Sequence, residues 1–398
     1  MSAAAPALVA SRRMPRRIDG VDAARGLALI GMFIAHVAPG VASVDLAELL
    51  AIADDRPRLL FALTAGIGLG FMTGGIRPIA AGRGELRRQI AIRAVILIAL
   101  GAIIAFTLHP LVFIILDVYG VAFLLLLPLL FLPSRVALGL GIGLLAITPA
   151  LAEIGARSEF VNEVRQTPLK FLSDWIVGGA YPVIVWVPVM LIGLALARFG
   201  LTSPRVVARV ALVGVIAASV LLPAATLLPP PELASDAAWS VPLRMSLETL
   251  GNVAVGAIVV AAMLALTAFA RPAVRRVSGT VLSPITAMGS MPLSIYTIHL
   301  VVLGLAIRVE DGVVTDDSWS LLIGLLVGSM VFASVWRRYL GRGPLERALR
   351  WASRRQRAER VPVSVPPESA AGSAAGSAAG SAAGSAAGEG ERTDAAGR

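Results

Sequence analysis

Residues 22–36 read DAARGLALIGMFIAH, an apolar run of membrane type with an arginine near its start and a histidine eleven residues later. Eleven residues make about three helical turns, so Arg25 and His36 fall on one face, roughly 16 Å apart along the axis. The stretch therefore predicts a membrane-spanning helix. One face of that helix carries a charge near one membrane surface and an imidazole deeper in the bilayer.

The composition extends this prediction to most of the chain. Hydrophobic residues make up 57% of the 398 residues, charged residues only 15%, and the mean hydropathy is +0.81. Such values exclude an ordinary soluble domain and indicate a polytopic membrane protein with the lipid bilayer as its main partner. The net charge of +10 would suggest a nucleic-acid partner in a soluble protein. Here the basic residues alternate with apolar runs, so we expect a cytoplasmic rim and no nucleic acid.

The fold class predicted is an all-α polytopic bundle of about ten transmembrane helices in the cell (plasma or inner) membrane. An even number of spans places both termini in the cytoplasm. The turn at His109-Pro110 is very tight, and the two spans that meet there could instead form one re-entrant unit. The predicted spans are about 21–40, 57–75, 91–109, 110–131, 135–154, 179–199, 206–227, 245–269, 282–306 and 319–339.

The distribution of charges between the loops supports this orientation, because cytoplasmic loops carry an excess of arginine and lysine. Arg157 and Arg165 dilute the contrast in the third outer loop. The predicted inner loops contain Arg77, Arg83, Arg87, Arg88, Arg93, Arg135, Arg198, Arg205, Arg209, Arg271, Arg275, Arg276, Arg337, Arg338, Arg342 and Arg347. The predicted outer loops contain Asp45, Glu48, Asp54, Asp55, Glu159, Glu163, Lys170, Asp174, Glu232, Asp236, Glu310, Asp311, Asp316 and Asp317.

Four segments are expected along the chain. Residues 1–20 form a basic cytoplasmic tail that lacks the cleavage pattern of a signal peptide, so the first span is expected to be retained. Residues 21–340 form the transmembrane domain. Residues 341–360 predict a basic helix, either amphipathic on the inner membrane surface or simply solvated. Residues 361–398 carry Gly/Ser/Ala repeats that cannot bury enough apolar surface to become ordered.

Ionisable side chains within apolar spans are costly and often mark function. The candidate catalytic residues are His36, Asp117, Glu248 and His299. Hydrogen bonds between buried helices would explain Asp117, Glu248 and His299 equally well. Arg25 could be an anchor that reaches the inner membrane surface, paired with an acidic residue three positions earlier.

Several stretches resemble known membrane acyltransferases. An arginine, ten residues and a histidine at the end of the first span resemble the R-x10-H motif of the acyltransferase family 3 enzymes. More of the chain resembles the YeiB-like and heparan-alpha-glucosaminide N-acetyltransferase-like proteins. That resemblance rests on RIDGVDAARGLALIGMFIAH at 17–36, GGAYPVIVWVPVMLIGLALARFGL at 178–201, AMGSMPLSIYTIHL at 287–300 and RGPLERALR at 342–350.

The resemblance implies acyl transfer across a membrane, from cytoplasmic acyl-CoA to an extracytoplasmic hydroxyl or amine of a glycan or small molecule. The acyl group expected is acetyl. Acyl-CoA is a polyanion whose phosphates need guanidinium partners, for which Arg25, Arg88, Arg93 and Arg87 are the candidates. A neutral His36 could accept the proton of the acceptor. The lysosomal enzymes have their catalytic histidine in the loop after the first span, and loop 41–58 here has none.

Other functions remain open from the sequence. A transporter or lipid flippase could use the same intramembrane charges, and a non-catalytic scaffold would need them only for stability. The spacing of three histidines on different spans contains no metal-binding motif, so no metal is predicted. Glycine pairs at four-residue spacing, Gly66 with Gly70 and Gly139 with Gly143, could serve a homodimer or pack within one subunit.

Overall fold

The computed structural model describes residues 18–178, 182–229, 239–310 and 312–353, and 79% of them are helical. A short antiparallel hairpin, β1 Arg308–Glu310 and β2 Val313–Thr315, precedes the last long helix. The α-helices are α1 Asp19–Val37, α2 Val44–Ala51, α3 Arg56–Met72, α4 Arg83–Leu108, α5 Leu116–Leu126, α6 Ser134–Ala156, α7 Glu159–Arg165, α8 Lys170–Ser173, α9 Val183–Phe199, α10 Pro204–Thr226, α11 Ser240–Leu264, α12 Pro272–Val281, α13 Ser283–Ser290, α14 Pro292–Ala306, α15 Trp319–Tyr339 and α16 Pro344–Ser353. Turns of π-helix follow α8 at Asp174–Gly178 and α11 at Ala265–Phe269.

Six helical segments among the described residues are long and apolar enough to cross a membrane: α1, α4, α6, α10, α11 with its π-helical turn, and α15. A seventh is obtained if α13 and α14, bent by 88° at Met291, count as one span. The prediction of a helical bundle is thus confirmed: the fold is nearly all-α and contains several helices long and apolar enough to span a membrane. The count of ten spans stays a prediction.

Two shorter helices, α3 and α9, form the centre of the bundle. Each has 17 residues, and α9 is buried from Val185 to Arg198. They pack against each other through glycine: a Cβ on Gly66 would lie 2.0 Å from the Met190 carbonyl oxygen, and one on Gly193 would lie 2.1 Å from that of Leu63. Close backbone approach of this kind brings the two helices together, and most residues of both are buried.

The outer helices present apolar side chains outward. On α10 the exposed residues include Leu212, Val213, Ile216 and Val220, which recur at helical spacing. Similar exposed faces occur on α4, α6 and α15. Contiguous apolar surface of this extent is unfavourable in water, so it is the face expected to meet lipid.

Two predicted spans differ in shape from a continuous helix. The span predicted at 110–131 contains a helix only over Leu116–Leu126, which is about 17 Å long and too short to cross the bilayer alone. Pro110 follows the left-handed His109 at the end of α4, and Pro128 follows the end of α5. The span predicted at 282–306 is divided into α13 and α14, with Pro292 at the first position of α14. Proline restricts the preceding residue and removes a backbone donor, so it favours such breaks.

The two glycine pairs have different surroundings. Gly66 and Gly70 pack within the chain, since a Cβ on Gly70 would lie 2.5 Å from the Cβ of Ala197. Gly139 and Gly143 face open space on the exposed side of α6. The homodimer stays a prediction. Of the two glycine pairs, Gly139 with Gly143 on α6 has the space to pack against another subunit.

Several expectations fall on residues outside the described ranges. These are the basic tail before residue 18, the outer-loop acids Glu232, Asp236 and Asp311, and the segment from residue 354 onward with its Gly/Ser/Ala repeats. α16 lies within the segment predicted as a basic amphipathic helix, and its Trp351 is 82% exposed.

Candidate active site

Two histidines from distant parts of the chain meet within the helical bundle. His36 lies in the last turn of α1 and His299 lies in the middle of α14. His36 Nδ1 is 3.2 Å from His299 Nε2, and the two rings are stacked with centroids 5.2 Å apart. His299 is fully buried, whereas His36 is only partly buried. The pair therefore combines one fully buried imidazole with one that is partly exposed.

Aromatic side chains hold the buried histidine. Phe33 stacks on the ring of His299 with centroids 4.6 Å apart, and the ring of Tyr296 lies 5.4 Å away. Phe33 precedes His36 by three residues and Tyr296 precedes His299 by three, so each helix presents an aromatic ring and an imidazole on one face. The two faces meet each other, which fixes the orientation of both imidazoles.

The start of α5 completes this arrangement. The backbone N–H of Ile115 donates a hydrogen bond of 3.2 Å to the Tyr296 hydroxyl oxygen. Ile115 and Tyr296 are both buried. Because a buried phenol without a partner would be costly, this bond fixes the ring that lies beside His299. The segment that enters α5 is thereby joined to the histidine pair.

The first turn of α14 is held by α16. The Glu346 carboxylate accepts hydrogen bonds from the backbone N–H groups of Leu293, at 2.8 Å, and Ser294, at 3.1 Å, as well as from the Ser294 hydroxyl. The Ser294 hydroxyl oxygen in turn accepts a 3.1 Å hydrogen bond from the Leu345 N–H. A carboxylate at a helix N-terminus satisfies free N–H groups and interacts favourably with the helix dipole. α16 therefore anchors the helix that carries His299.

Arg25 lies near the start of α1, where α1, α3 and α13 meet. Its guanidinium donates to Asp22 Oδ1 at 3.2 Å, to the Thr64 carbonyl of α3 at 3.0 Å and to the Gly289 carbonyl of α13 at 3.3 Å. The side chain is 15% exposed. Both its charge and several of its donors are thus used within the protein. Arg25 and His36 do lie on the same helix, as the sequence indicates.

The three other arginines predicted to bind the donor lie in the first half of α4 and face different partners. Arg87 donates to the Leu127 carbonyl at 3.0 Å and lies over the Phe131 ring. Arg88 pairs with Glu85 at 3.3 Å and is exposed. Arg93 contacts Ser353 of α16 and Met72 of α3. Their role in donor binding stays a prediction.

Asp117 lies in the first turn of α5 and lines a cavity of about 390 Å³. Its Oδ2 accepts a 2.8 Å hydrogen bond from the Trp175 indole, whereas its Oδ1 is buried and accepts none among the described residues. The cavity is also lined by His109, Phe113, Phe171, Asp174 and Trp175, and Asp174 pairs with Arg165 at 3.2 Å. Within the described residues no hydrogen bond joins Asp117 to His36 or His299. The hydrogen bond of Ile115 with Tyr296 connects the segment just before Asp117 to the aromatic ring beside His299.

Glu248 is placed on α11 and pairs with Arg244 one turn earlier at 2.7 Å. Arg244 also donates to the Leu228 carbonyl, just after the end of α10, at 2.8 Å. This network connects α11 to the end of α10, and among the described residues no hydrogen bond joins Glu248 to either histidine. A catalytic role for Glu248 stays a prediction. The described residues include no group of three or more His, Asp or Glu side chains able to hold a metal ion, and the expectation of a metal-free protein likewise stays a prediction.

Comparison with known protein families identifies the chain. Residues 17–227, more than half of the chain, match the family described as heparan-alpha-glucosaminide N-acetyltransferase, catalytic. The chain belongs to this family. Residues 196–356 match a second family, YeiB-like and described as a protein of unknown function (DUF418). A search of the curated proteins finds no match.

The family resemblance inferred over about 20 to 350 is thus confirmed. His36 lies in the region matched by the N-acetyltransferase catalytic family, and His299 lies in the region matched by the YeiB-like family. Folding brings one histidine from each region into contact. Glu346 was not singled out in the sequence, because a helix cap supplied from about fifty residues away has no local pattern.

Proposed function

We propose that this protein is an integral membrane acyltransferase. It transfers an acyl group, expected to be acetyl, from cytoplasmic acyl-CoA to an extracytoplasmic hydroxyl or amine, such as that of a glycan or glycoconjugate. The observation that carries the proposal is the contact between His36 and His299 at the end of α1, in a chain of an N-acetyltransferase catalytic family. Two imidazoles in contact, one buried and one partly exposed, place a possible general base next to a group that can orient it.

The proton positions follow from the role proposed for His36. A neutral imidazole has one N–H and one lone pair, and the partner of one nitrogen decides which is which. If His36 Nδ1–H donates to His299 Nε2, the His36 Nε2 lone pair is free to accept a proton. His299 is then a positioning residue that selects this tautomer, and Phe33 and Tyr296 hold it in place.

The transfer step uses His36 as base and then as acid. His36 Nε2 removes the proton from the acceptor N–H or O–H as the acceptor atom attacks the thioester carbonyl carbon. The tetrahedral intermediate collapses with cleavage of the C–S bond. The CoA thiolate then takes the proton from His36, which restores the neutral imidazole. No net charge or proton is left on the enzyme.

The acceptor is proposed to approach through the cavity that contains Asp117. This cavity is close to the lower limit of volumes typical of small-molecule sites, about 300 to 1,000 Å³. Its aromatic walls and carboxylates suit a sugar, whose ring has apolar faces and whose hydroxyl or amino groups are hydrogen-bond donors. The buried Asp117 Oδ1 has an unused acceptor site for such a donor.

The orientation proposed is ten crossings of the cell membrane with both termini in the cytoplasm. The starts of α1 and α4 and the end of α15 then lie at the cytoplasmic surface, where acyl-CoA is found. The loop before α5 and the β1–β2 hairpin lie outside. Support comes from the arginine-rich segments at one end of these helices and the acidic segments at the other.

The test is binding and slow hydrolysis of labelled acetyl-CoA by the purified protein in detergent. The wild type is compared with His36→Gln and with the exposed carboxylate variant Glu159→Gln. We expect His36→Gln to bind acetyl-CoA with an affinity within about twofold of wild type and to lose about 100-fold or more of its turnover, the usual contribution of a general base. Glu159→Gln is expected to behave as wild type.

Unchanged turnover in a folded His36→Gln variant would show that the imidazole is not the base. If the folded wild type binds neither acetyl-CoA nor longer acyl-CoAs, the acyltransferase proposal is wrong. Flux assays in proteoliposomes would then test the protein as a carrier.

A further inference from the structure

A second cavity, of about 520 Å³, lies at the end of the bundle where α1 begins and α15 ends. We call it the rim cavity. It is bounded by the start of α1, the π-helical turn after α11, the junction of α12 with α13, and the last turns of α15. The polar residues that line it are Asp19, Thr267, Ser283, Thr286, Ser334, Arg337 and Arg338. None of these residues was among the predicted site residues.

The chemistry of this lining suits a phosphate group. Two guanidinium groups and the hydroxyls of Ser283 and Ser334 line one space. The Thr267 and Thr286 hydroxyls donate instead to the Met263 and Leu282 carbonyls of the backbone. Guanidinium binds phosphate with paired, charge-assisted hydrogen bonds, so the two arginines supply most of the preference. α13 starts at Ser283, on the cavity wall, and no side chain caps its start. Pro284, the second residue of α13, has no N–H, so this helix start offers fewer free N–H groups to an anion than most, and the arginines carry the argument.

The two arginines are not equivalent. Arg337 pairs with Asp19 at 3.0 Å, which offsets its charge. Arg338 makes no hydrogen bond or ion pair with any part of the chain that the structure describes. The Asp19 carboxylate would repel a phosphate, so its pairing with Arg337 leaves Arg338 as the primary ligand. Arg337 can contribute a second contact from its remaining N–H groups.

The position of the rim cavity relates it to the histidine pair. Asp19 begins α1 and His36 lies in its last turn, so the two are about 26 Å apart along the helix at 1.5 Å per residue. An acyl-CoA has its phosphates at one end and its thioester at the other. Phosphates held at the first end of α1 would remain near water while the acyl group extends toward His36.

We propose that the rim cavity binds the phosphate groups of the acyl-CoA donor, with Arg338 as the main ligand and Arg337 as the second. This inference rests on the proposed function, since it assumes an acyl-CoA donor. An anionic lipid headgroup has the same phosphate chemistry, so the experiment has to separate the two sources.

The experiment measures acetyl-CoA affinity in nanodiscs of phosphatidylcholine, with and without added phosphatidylglycerol. Arg338→Gln and the double variant Arg337→Gln/Arg338→Gln are compared with wild type. Arg209→Gln, an exposed arginine at the start of α10 on the same predicted surface, is the matched control. Thermal unfolding verifies that each variant is folded, and acetyl-dephospho-CoA tests which phosphate is bound.

We expect Arg338→Gln to weaken acetyl-CoA binding about tenfold, the loss of one charge-assisted contact, and the double variant to weaken it further. Arg209→Gln is expected to leave it unchanged. If the 3′-phosphate occupies the cavity, Arg338→Gln will affect acetyl-dephospho-CoA much less than acetyl-CoA.

Two results would overturn the inference while leaving the acyltransferase intact. One is a wild type that binds acetyl-CoA and a folded double variant that binds it equally well. The other concerns phosphatidylglycerol. If it lowers the acetyl-CoA affinity of the wild type but not of the double variant, and both have the same affinity in phosphatidylcholine alone, the cavity binds a lipid headgroup. A wild type that does not bind acetyl-CoA would overturn both proposals.

Discussion

At the scale of single residues, two glycines decide how α1 and α13 cross. A Cβ on Gly289 would lie 1.8 Å from the Asp22 carbonyl oxygen, and one on Gly26 would lie 2.0 Å from that of Ile285. Neither backbone can yield without moving a helix. We therefore expect Gly289→Ala to lower the free energy of unfolding by at least about 1–3 kcal/mol, the usual cost of overpacking, and to lower the melting temperature.

Gly328→Ala is the matched control for that measurement. Gly328 also lies within a helix, α15, but a Cβ there would meet nothing within 4 Å. Because alanine favours the helix by about 0.5–1 kcal/mol over glycine, this variant should be neutral or slightly more stable. Equal melting temperatures for Gly289→Ala and Gly328→Ala would contradict the close crossing. They would also remove the basis for the Arg25 contact with the Gly289 carbonyl.

Spacing in the sequence placed Arg25 and His36 on one helix but did not reveal their partners. Both were singled out by their spacing, and both lie on α1 as expected. Spacing along a helix could not show that Thr64 and Gly289 carbonyls accept from Arg25, because those acceptors belong to other helices. Nor could it show that His299 meets His36, since the two lie 263 residues apart.

At the scale of elements, the contact between α16 and α14 connects the membrane-surface end of the bundle to the buried histidine. Glu346→Gln keeps the size of the side chain and removes the charge that three hydrogen bonds to α14 rely on. We expect this variant to lose about 1–2 kcal/mol of local stability, as for loss of a helix cap. Hydrogen exchange of the amides at 293–296 should become faster.

The matched control on the same helix is Trp351→Ala, because Trp351 is 82% exposed. It should leave amide exchange at the start of α14 unchanged. Equal exchange in Glu346→Gln and wild type would mean that α16 does not hold α14. Faster exchange in both variants would indicate that the whole of α16 is easily detached, and that Glu346 has no special part.

Element by element, hydropathy located the helices better than it defined their lengths. Each of the ten predicted spans contains a helix or a bent pair of helices in the structure. The helix at Leu116–Leu126 is shorter than expected, and the one expected at 282–306 bends by 88° at Met291. Apolar composition reports how favourably a segment partitions into the lipid bilayer. Prolines and contacts with neighbouring helices decide where the helix ends.

At the scale of the whole molecule, the proposed orientation predicts which loops face which side. The chain has no cysteine, so single cysteines can be introduced without a background. Ala42→Cys and Gln166→Cys should react with an impermeant maleimide in intact spheroplasts. Thr202→Cys and Ala352→Cys should react only after permeabilisation. All four positions are exposed, so access rather than burial decides the labelling.

The labelling of Ala42→Cys and Thr202→Cys is the most informative pair. Labelling of both from the same side would contradict an odd number of crossings between them, and with it the ten-span arrangement. Labelling of Ala352→Cys in intact spheroplasts would contradict a cytoplasmic C-terminal segment.

The sequence by itself determined that this is an all-α membrane protein of the acyltransferase-like family, because apolar spans and short motifs such as Arg25 to His36 are local properties of the chain. Tertiary structure alone decided the pairing of His36 with His299, the cap from Glu346 on α14, and the rim cavity around Arg338. These features join residues from separate helices. Their geometry depends on how the helices pack, through contacts such as Gly26 on Ile285 and Gly289 on Asp22, and no periodicity in the sequence reports it.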